Sequence, residues 1–203
     1  MNQIKRLALV LFLLALFTAC SSPELNSIGH DGTILAFGDS LTVGKGADKK
    51  NSYPSVLAEL SGLTVINAGV SGETTDGGVK RLPSELDRHS PDLLLLIEGG
   101  NDILRNRDQA SIKANLGAMI QAAKKRGVQV VLFGIPKKSL FSESVPLYQE
   151  LADEHQLVFD ESLVVDLLHT PSLKADQIHL NKVGYRKMAE SIYELLREKG
   201  AVY

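Results

Sequence analysis

The sequence predicts one three-layer α/β/α sandwich around a five-stranded, mostly parallel sheet. Three observations carry that expectation. Apolar runs of strand length recur at TILAF (33–37), TVIN (64–67), DLLLLI (92–97), VQVVLFGI (128–135) and LVF (157–159). Most are continuous rather than alternating, as parallel strands covered on both faces require. Helical patterns lie between the runs, and polar, Gly-rich turns come after several of them, which is the alternation of an α/β fold.

Taken in order, the chain does not begin with the fold. Lys5 and Arg6 precede eleven apolar residues, Leu7 to Phe17, and then Thr18-Ala19-Cys20. A spanning helix needs about 20 apolar residues, so this run is too short and has the shape of a secretory signal. An apolar core closed by small residues and a cysteine resembles a bacterial lipoprotein signal. That resemblance implies cleavage after residue 19, lipidation of Cys20 and a place in the cell envelope, on a bacterial membrane. The alternative is an ordinary cleaved signal in which Cys20 is incidental. Residues 20–32, polar and containing Pro, Gly and Asn, read as a tether. The domain is expected over 33–203.

Within it, apolar residues at Ile112, Leu116, Met119, Ile120 and Ala123 recur at helical spacing over 111–126, with Gly127 as the stop. The last helix is expected from Asn181, as N-cap, to Gly200, with Tyr185, Met188, Ala189, Ile192, Leu195 and Leu196 on its inner face. The 203 residues are 44% hydrophobic and 23% charged, which excludes disordered, collagen-like and coiled-coil chains. The formal charge of −2 becomes −4 once Lys5 and Arg6 leave with the signal, and the cations are scattered, so no nucleic-acid partner is expected. One cysteine excludes an internal disulfide and a multi-cysteine metal site.

In open α/β sheets ligand chemistry gathers at the carboxyl ends of the strands. The first strand is succeeded by Gly38-Asp39-Ser40-Leu41-Thr42, the second by Ser71-Gly72-Glu73-Thr74 and the third by Gly99-Gly100-Asn101-Asp102. Asp176-Gln177-Ile178-His179 stands just before the last helix. These residues suit acyl transfer. A serine hydroxyl becomes a useful nucleophile when an imidazole takes its proton, and a carboxylate fixes that imidazole's tautomer. Ser40, His179 and Asp176 supply the set. Backbone N–H groups at glycine turns and the Asn101 amide are candidate donors to an oxyanion.

Each piece alone has a plainer reading. Ser40 could cap the helix after the first strand. Asn101-Asp102 could be only a turn. Asp176 and His179 could be a loop ion pair, or half a metal site with His169. His30, His89 and His155 are expected to face solvent.

Together the four blocks resemble the GDSL esterases, or SGNH hydrolases, in their bacterial arylesterase, acyl-CoA thioesterase and lysophospholipase branch. GDSLT (38–42), SGETT (71–75), GGND (99–102) and DQIH (176–179) carry the resemblance over roughly residues 33–199. It implies an SGNH, flavodoxin-like sheet order and hydrolysis of carboxylic esters or thioesters through an acyl-enzyme. It makes Ser40 the nucleophile, His179 the general base and Asp176 its orienting acid. The oxyanion donors would be the N–H groups of Ser40 and Gly72 and the Asn101 amide, with no cofactor and no metal. The chain is expected to be a monomer, held to a membrane by lipid on Cys20. Ile103 stands where relatives often have Gly.

Other motifs fail. Gly38 to Lys45 has the wrong spacing for a P-loop, Gly44-Lys45-Gly46 lacks a third glycine, and no Gly-x-Ser-x-Gly elbow occurs. Residues 136–148 are expected to form a long loop whose Leu140, Phe141, Val145 and Tyr148 either line an acyl pocket or pack beneath the loop. A carbohydrate O-acetylesterase, or a silent lipoprotein binding glycan or lipid, are the rival functions.

Overall fold

The computed structural model describes residues 23–138 and 143–203. The signal at 1–19, Cys20, and Leu140 and Phe141 of the long loop lie outside them. Among the described residues five strands form one parallel sheet: β1 (Thr33–Gly38), β2 (Thr64–Gly69), β3 (Leu93–Ile97), β4 (Gln129–Phe133) and β5 (Val158–Asp160). Their order is β2-β1-β3-β4-β5, every neighbouring pair parallel. The expected "mostly parallel" sheet is parallel throughout.

Burial explains the sequence pattern. All five residues of β3 are buried, and so are all but the first of β1, because these strands are covered by helices on both faces. β2 is an edge strand with exposed Thr64 and Asn67, and β5 at the other edge has only three residues. Short or polar edges leave little apolar ladder open to another chain.

Eight helices among the described residues cover the sheet: α1 (Ser40–Val43), α2 (Tyr53–Ser61), α3 (Thr75–His89), α4 (Gly100–Leu104), α5 (Gln109–Lys124), α6 (Leu147–His155), α7 (Leu163–His169) and α8 (Lys182–Glu198). On one face α2 packs on α8, which also meets α7; on the other α3 packs on α5, and α5 on α6. The two helices read from the sequence form close to their expected limits. Asp108 caps α5 by accepting from the Ser111 N–H, and Gly127 lies just beyond its end with φ +74°. Asn181 caps α8 by accepting from the Val183 and Gly184 N–H groups.

Two expectations change in detail. The segment read as a loop over 136–148 is shorter, because α6 begins at Leu147 and Pro136 pairs with Ser144 as an antiparallel bridge. The segment read as a tether is docked over part of its length. Leu25 N–H donates to the Lys199 carbonyl, Ile28 N–H to the Ala201 carbonyl, and Asn26 exchanges two bonds with the Gln129 side chain. Ile28 is buried. This apolar residue, close before the first strand, contributes to the core, which its polar neighbours concealed. No helix among the described residues is long and apolar enough to cross a membrane.

Candidate active site

The chain leaves β1 and moves to opposite sides of it for β2 and β3, so the carboxyl ends of β1 and β3 flank the point where the winding reverses. That is where a doubly wound sheet opens a crevice. Gly38 ends β1 because nothing larger fits: a Cβ there would stand 2.0 Å from the Ile97 carbonyl oxygen. Asp39 then caps α1, its Oδ1 accepting from the Leu41 N–H at 3.0 Å. Ser40 is the first residue of that helix, so its N–H has no intrahelical acceptor.

Three of the expected residues form a hydrogen-bonded chain. His179 Nε2 lies 3.0 Å from Ser40 Oγ, and His179 Nδ1 lies 2.7 Å from Asp176 Oδ2. Asp176 Oδ1 accepts from the N–H groups of Ile178 and His179, which closes the turn that presents both side chains. The bond from His179, and then that from Ile178 N–H, pull the Asp176 carboxyl down to about 2. An ionised carboxylate only accepts, so Nδ1 carries the imidazole proton and the Nε2 lone pair faces the serine hydroxyl. His179 is buried while half of the Asp176 side chain meets solvent.

Asn101 lies in the first turn of α4, and its Nδ2 donates to Asp39 Oδ2 at 3.0 Å. One amide hydrogen is thereby held and the other is left pointing elsewhere. Gly99 before it has φ +106°, and a Cβ there would meet the Tyr148 hydroxyl at 2.4 Å. Gly72, with φ +78°, turns the chain after β2, and Arg105 Nη2 donates to its carbonyl at 3.2 Å.

Three further acids, to which sequence patterning assigns no role, shape the site. Asp102 is buried and accepts from both the N–H and the hydroxyl of Thr75, fastening α4 to the start of α3. Asp39 is buried, which raises its carboxyl to about 6 against the lowering effect of the Leu41 N–H. Glu98, at the end of β3, is fully buried; one oxygen accepts only from Gly99 N–H at 3.3 Å and the other has no hydrogen-bond partner. Burial, then the charges of Asp39 and Glu73, push it well above the usual carboxylate range. An acid directly after a continuous apolar run was the available signal for Glu98. Nothing local announces the other two.

Beside Ser40 and Asn101 a cavity of about 150 Å³ opens, walled by Ile103, Ile135, Val164, Leu168 and Ile178. Lys137, Lys138, Lys174 and His169 stand at its edge. Gly72 is not among the residues that line it. Of the four residues proposed for an acyl pocket, Val145 and Tyr148 instead pack in the core, Tyr148 donating its hydroxyl to the Glu98 carbonyl. His30 is exposed as expected, but His89 and His155 are partly buried, His89 against Glu85. Among the described residues no group of three or more His, Cys, Asp or Glu could hold a metal ion.

A sequence profile described as the GDSL-like Lipase/Acylhydrolase family matches residues 36–187. The chain belongs to this family. It is 36% identical over 166 residues, 77% of this chain and 78% of the relative, to an arylesterase of Vibrio mimicus. It is 28% identical over 158 residues to thioesterase 1/protease 1/lysophospholipase L1 of Escherichia coli strain K12, covering 74% and 76% of the two chains. Among solved structures, that of TesA superposes with a TM-score of 0.73 at 26% identity, over 82% of this chain and 98% of the other. The GDSL hydrolase is thus an α/β serine esterase, acting on carboxylic esters, with the sheet order that the resemblance implied.

Proposed function

We propose that Ser40 is the nucleophile of this esterase, His179 its general base and Asp176 the acid that orients the imidazole. The hydrogen-bonded chain through these three residues is the observation that supports the reading. His179 Nε2 takes the Ser40 proton as Oγ attacks the ester or thioester carbonyl. The resulting oxyanion is met by the Ser40 and Gly72 N–H groups and by the free hydrogen of the Asn101 amide. Protonated His179 gives its proton to the departing alcohol or thiol, leaving an acyl-serine. A water molecule, deprotonated by the same imidazole, attacks that acyl group and restores Ser40.

The apolar cavity beside Ser40 supports an acyl chain as its occupant, in preference to a sugar-borne acetyl group. Cys20, after the apolar run of the signal, supports a lipid anchor and a location on the periplasmic face of the cell envelope; the anchored protein acts as a monomer. The test is hydrolysis of p-nitrophenyl esters from acetyl to palmitoyl by residues 21–203, with Ser40→Ala beside the native sequence. Ser40→Ala is expected to lower kcat about a thousandfold or more. Retention of a tenth of the activity would remove Ser40 from the mechanism.

A further inference from the structure

α8 measures the distance between the candidate active site and the point where the chain enters the body. Its N-cap, Asn181, stands two residues after His179. Its other end is followed by Lys199, whose carbonyl receives the Leu25 N–H. The helix has 17 residues and so spans about 25 Å. The sheet agrees with it. Asn26 is tied to Gln129, the first residue of β4, while the chain leaving the other end of β4 reaches Ile135 in the cavity wall. The docked amino-terminal segment and the cavity therefore lie at opposite poles, the amino and the carboxyl ends of the parallel strands.

The chain between Cys20 and the docking point is short. Leu25 stands five residues after Cys20. Fully extended, five residues reach at most about 18 Å. Turning the body over, so that the cavity rests on the bilayer, lifts Leu25 about 25 Å above it, the length of α8. That is farther than the connection reaches, and the Leu25, Asn26 and Ile28 bonds must break to lengthen it.

We infer that the mouth of the active site faces away from the membrane that holds the anchor, so that the anchored enzyme takes dissolved esters from the aqueous side rather than esters seated in its own leaflet. This rests on the reading of Cys20 as lipidated. It gives the docked segment a purpose: a rigid foot sets the orientation, where a free tether over residues 20–32 would allow the body to roll over.

The test uses the full lipidated chain in phosphatidylcholine vesicles carrying p-nitrophenyl laurate in the bilayer and p-nitrophenyl butyrate in the water, after both esters are shown to be cleaved in detergent micelles. The native chain is compared with one carrying about forty Gly/Ser residues between Ser22 and Pro23, an insert with a root-mean-square span of about 35 Å. The insert is expected to raise the laurate-to-butyrate rate ratio at least tenfold in dilute vesicles. An unchanged ratio overturns the orientation. Flotation tests the anchor separately: a native chain that floats no better than Cys20→Ser overturns the lipidation reading, whatever the rates show.

Discussion

Asp176 reaches Ser40 through His179, and Asp39 is the serine's neighbour in the chain; the two carboxyls are held in opposite ways. Asp176 is half exposed and is lowered to about 2 by the His179 and Ile178 donors. Asp39 is buried, and loss of water raises it to about 6 although it accepts two hydrogen bonds, against three at Asp176. One donor fewer does not account for a carboxyl raised above its ordinary value, since every donor lowers it. Access to water does, because desolvation penalises the charged form before any donor can compensate. The exposed acid is the one suited to steady a cationic imidazole. The buried one is suited to fixing geometry, holding the Asn101 amide and the start of α1 with one carboxyl.

The largest expected effect comes from the exposed acid. Asp176→Asn leaves the shape but offers an amide to Nδ1, so kcat should fall by roughly three to four orders of magnitude with little change in KM, as in other triads. A loss below tenfold on p-nitrophenyl butyrate would show that the charge is dispensable.

Asp39→Asn should act one step further out. Its new amide hydrogens face those of Asn101, which turns the Asn101 oxygen toward the reaction centre. A loss of about a hundredfold in kcat is expected, comparable to losing one oxyanion donor. The same change made in an Asn101→Ala background should add almost nothing. Full additivity would place Asp39 outside the oxyanion site.

The raised carboxyl of Asp39 also has a signature in stability. Between its unfolded value near 3.8 and its folded value of about 6, the folded chain binds more protons than the unfolded one. Stability from this group therefore falls as pH rises through that window, by on the order of 3 kcal/mol. Thermal unfolding of the native chain and Asp39→Asn from pH 4 to pH 7 reads this directly. The difference in Tm between them should move in favour of the variant as pH rises, and a constant difference would refute the burial argument.

The smallest effect concerns Glu98, which shares the burial of Asp39 and lacks its partners. Replacing it with Met removes an unsatisfied polar atom from the core, so Glu98→Met should be more stable by about 1 kcal/mol. Calorimetry that finds a lower Tm would assign Glu98 a structural bond of its own.

Legibility tracked the reach of each interaction. β3 was readable because LLLLI is apolar throughout, and the cap of α8 was readable because Asn181 bonds to N–H groups within three residues; the Asp108 cap of α5, ahead of the helix expected from 111, was not read. Nor was α3. Its sequence TDGGVKRLPSELDRH carries two glycines and an internal proline, each unfavourable to a helix. Tertiary packing overrides them. A Cβ at Gly78 would come within 3.3 Å of Met119 and Phe37, so the glycine allows α3 to lie close to both.

The amino-acid sequence by itself determined the layer architecture, the parallel sheet and the four turns that carry the proposed chemistry. Each of those arises from local patterning or from a short motif within one turn. Only the folded chain decided which partners those turns have. Asn101 meets Asp39 across 62 residues, His179 meets Ser40 across 139, and Asn26 meets Gln129 across 103. Nothing in a local window encodes such pairs, because strand order rather than sequence distance brings them together. The raised carboxyls of Asp39 and Glu98 have the same kind of origin, in how much water the surrounding layers exclude.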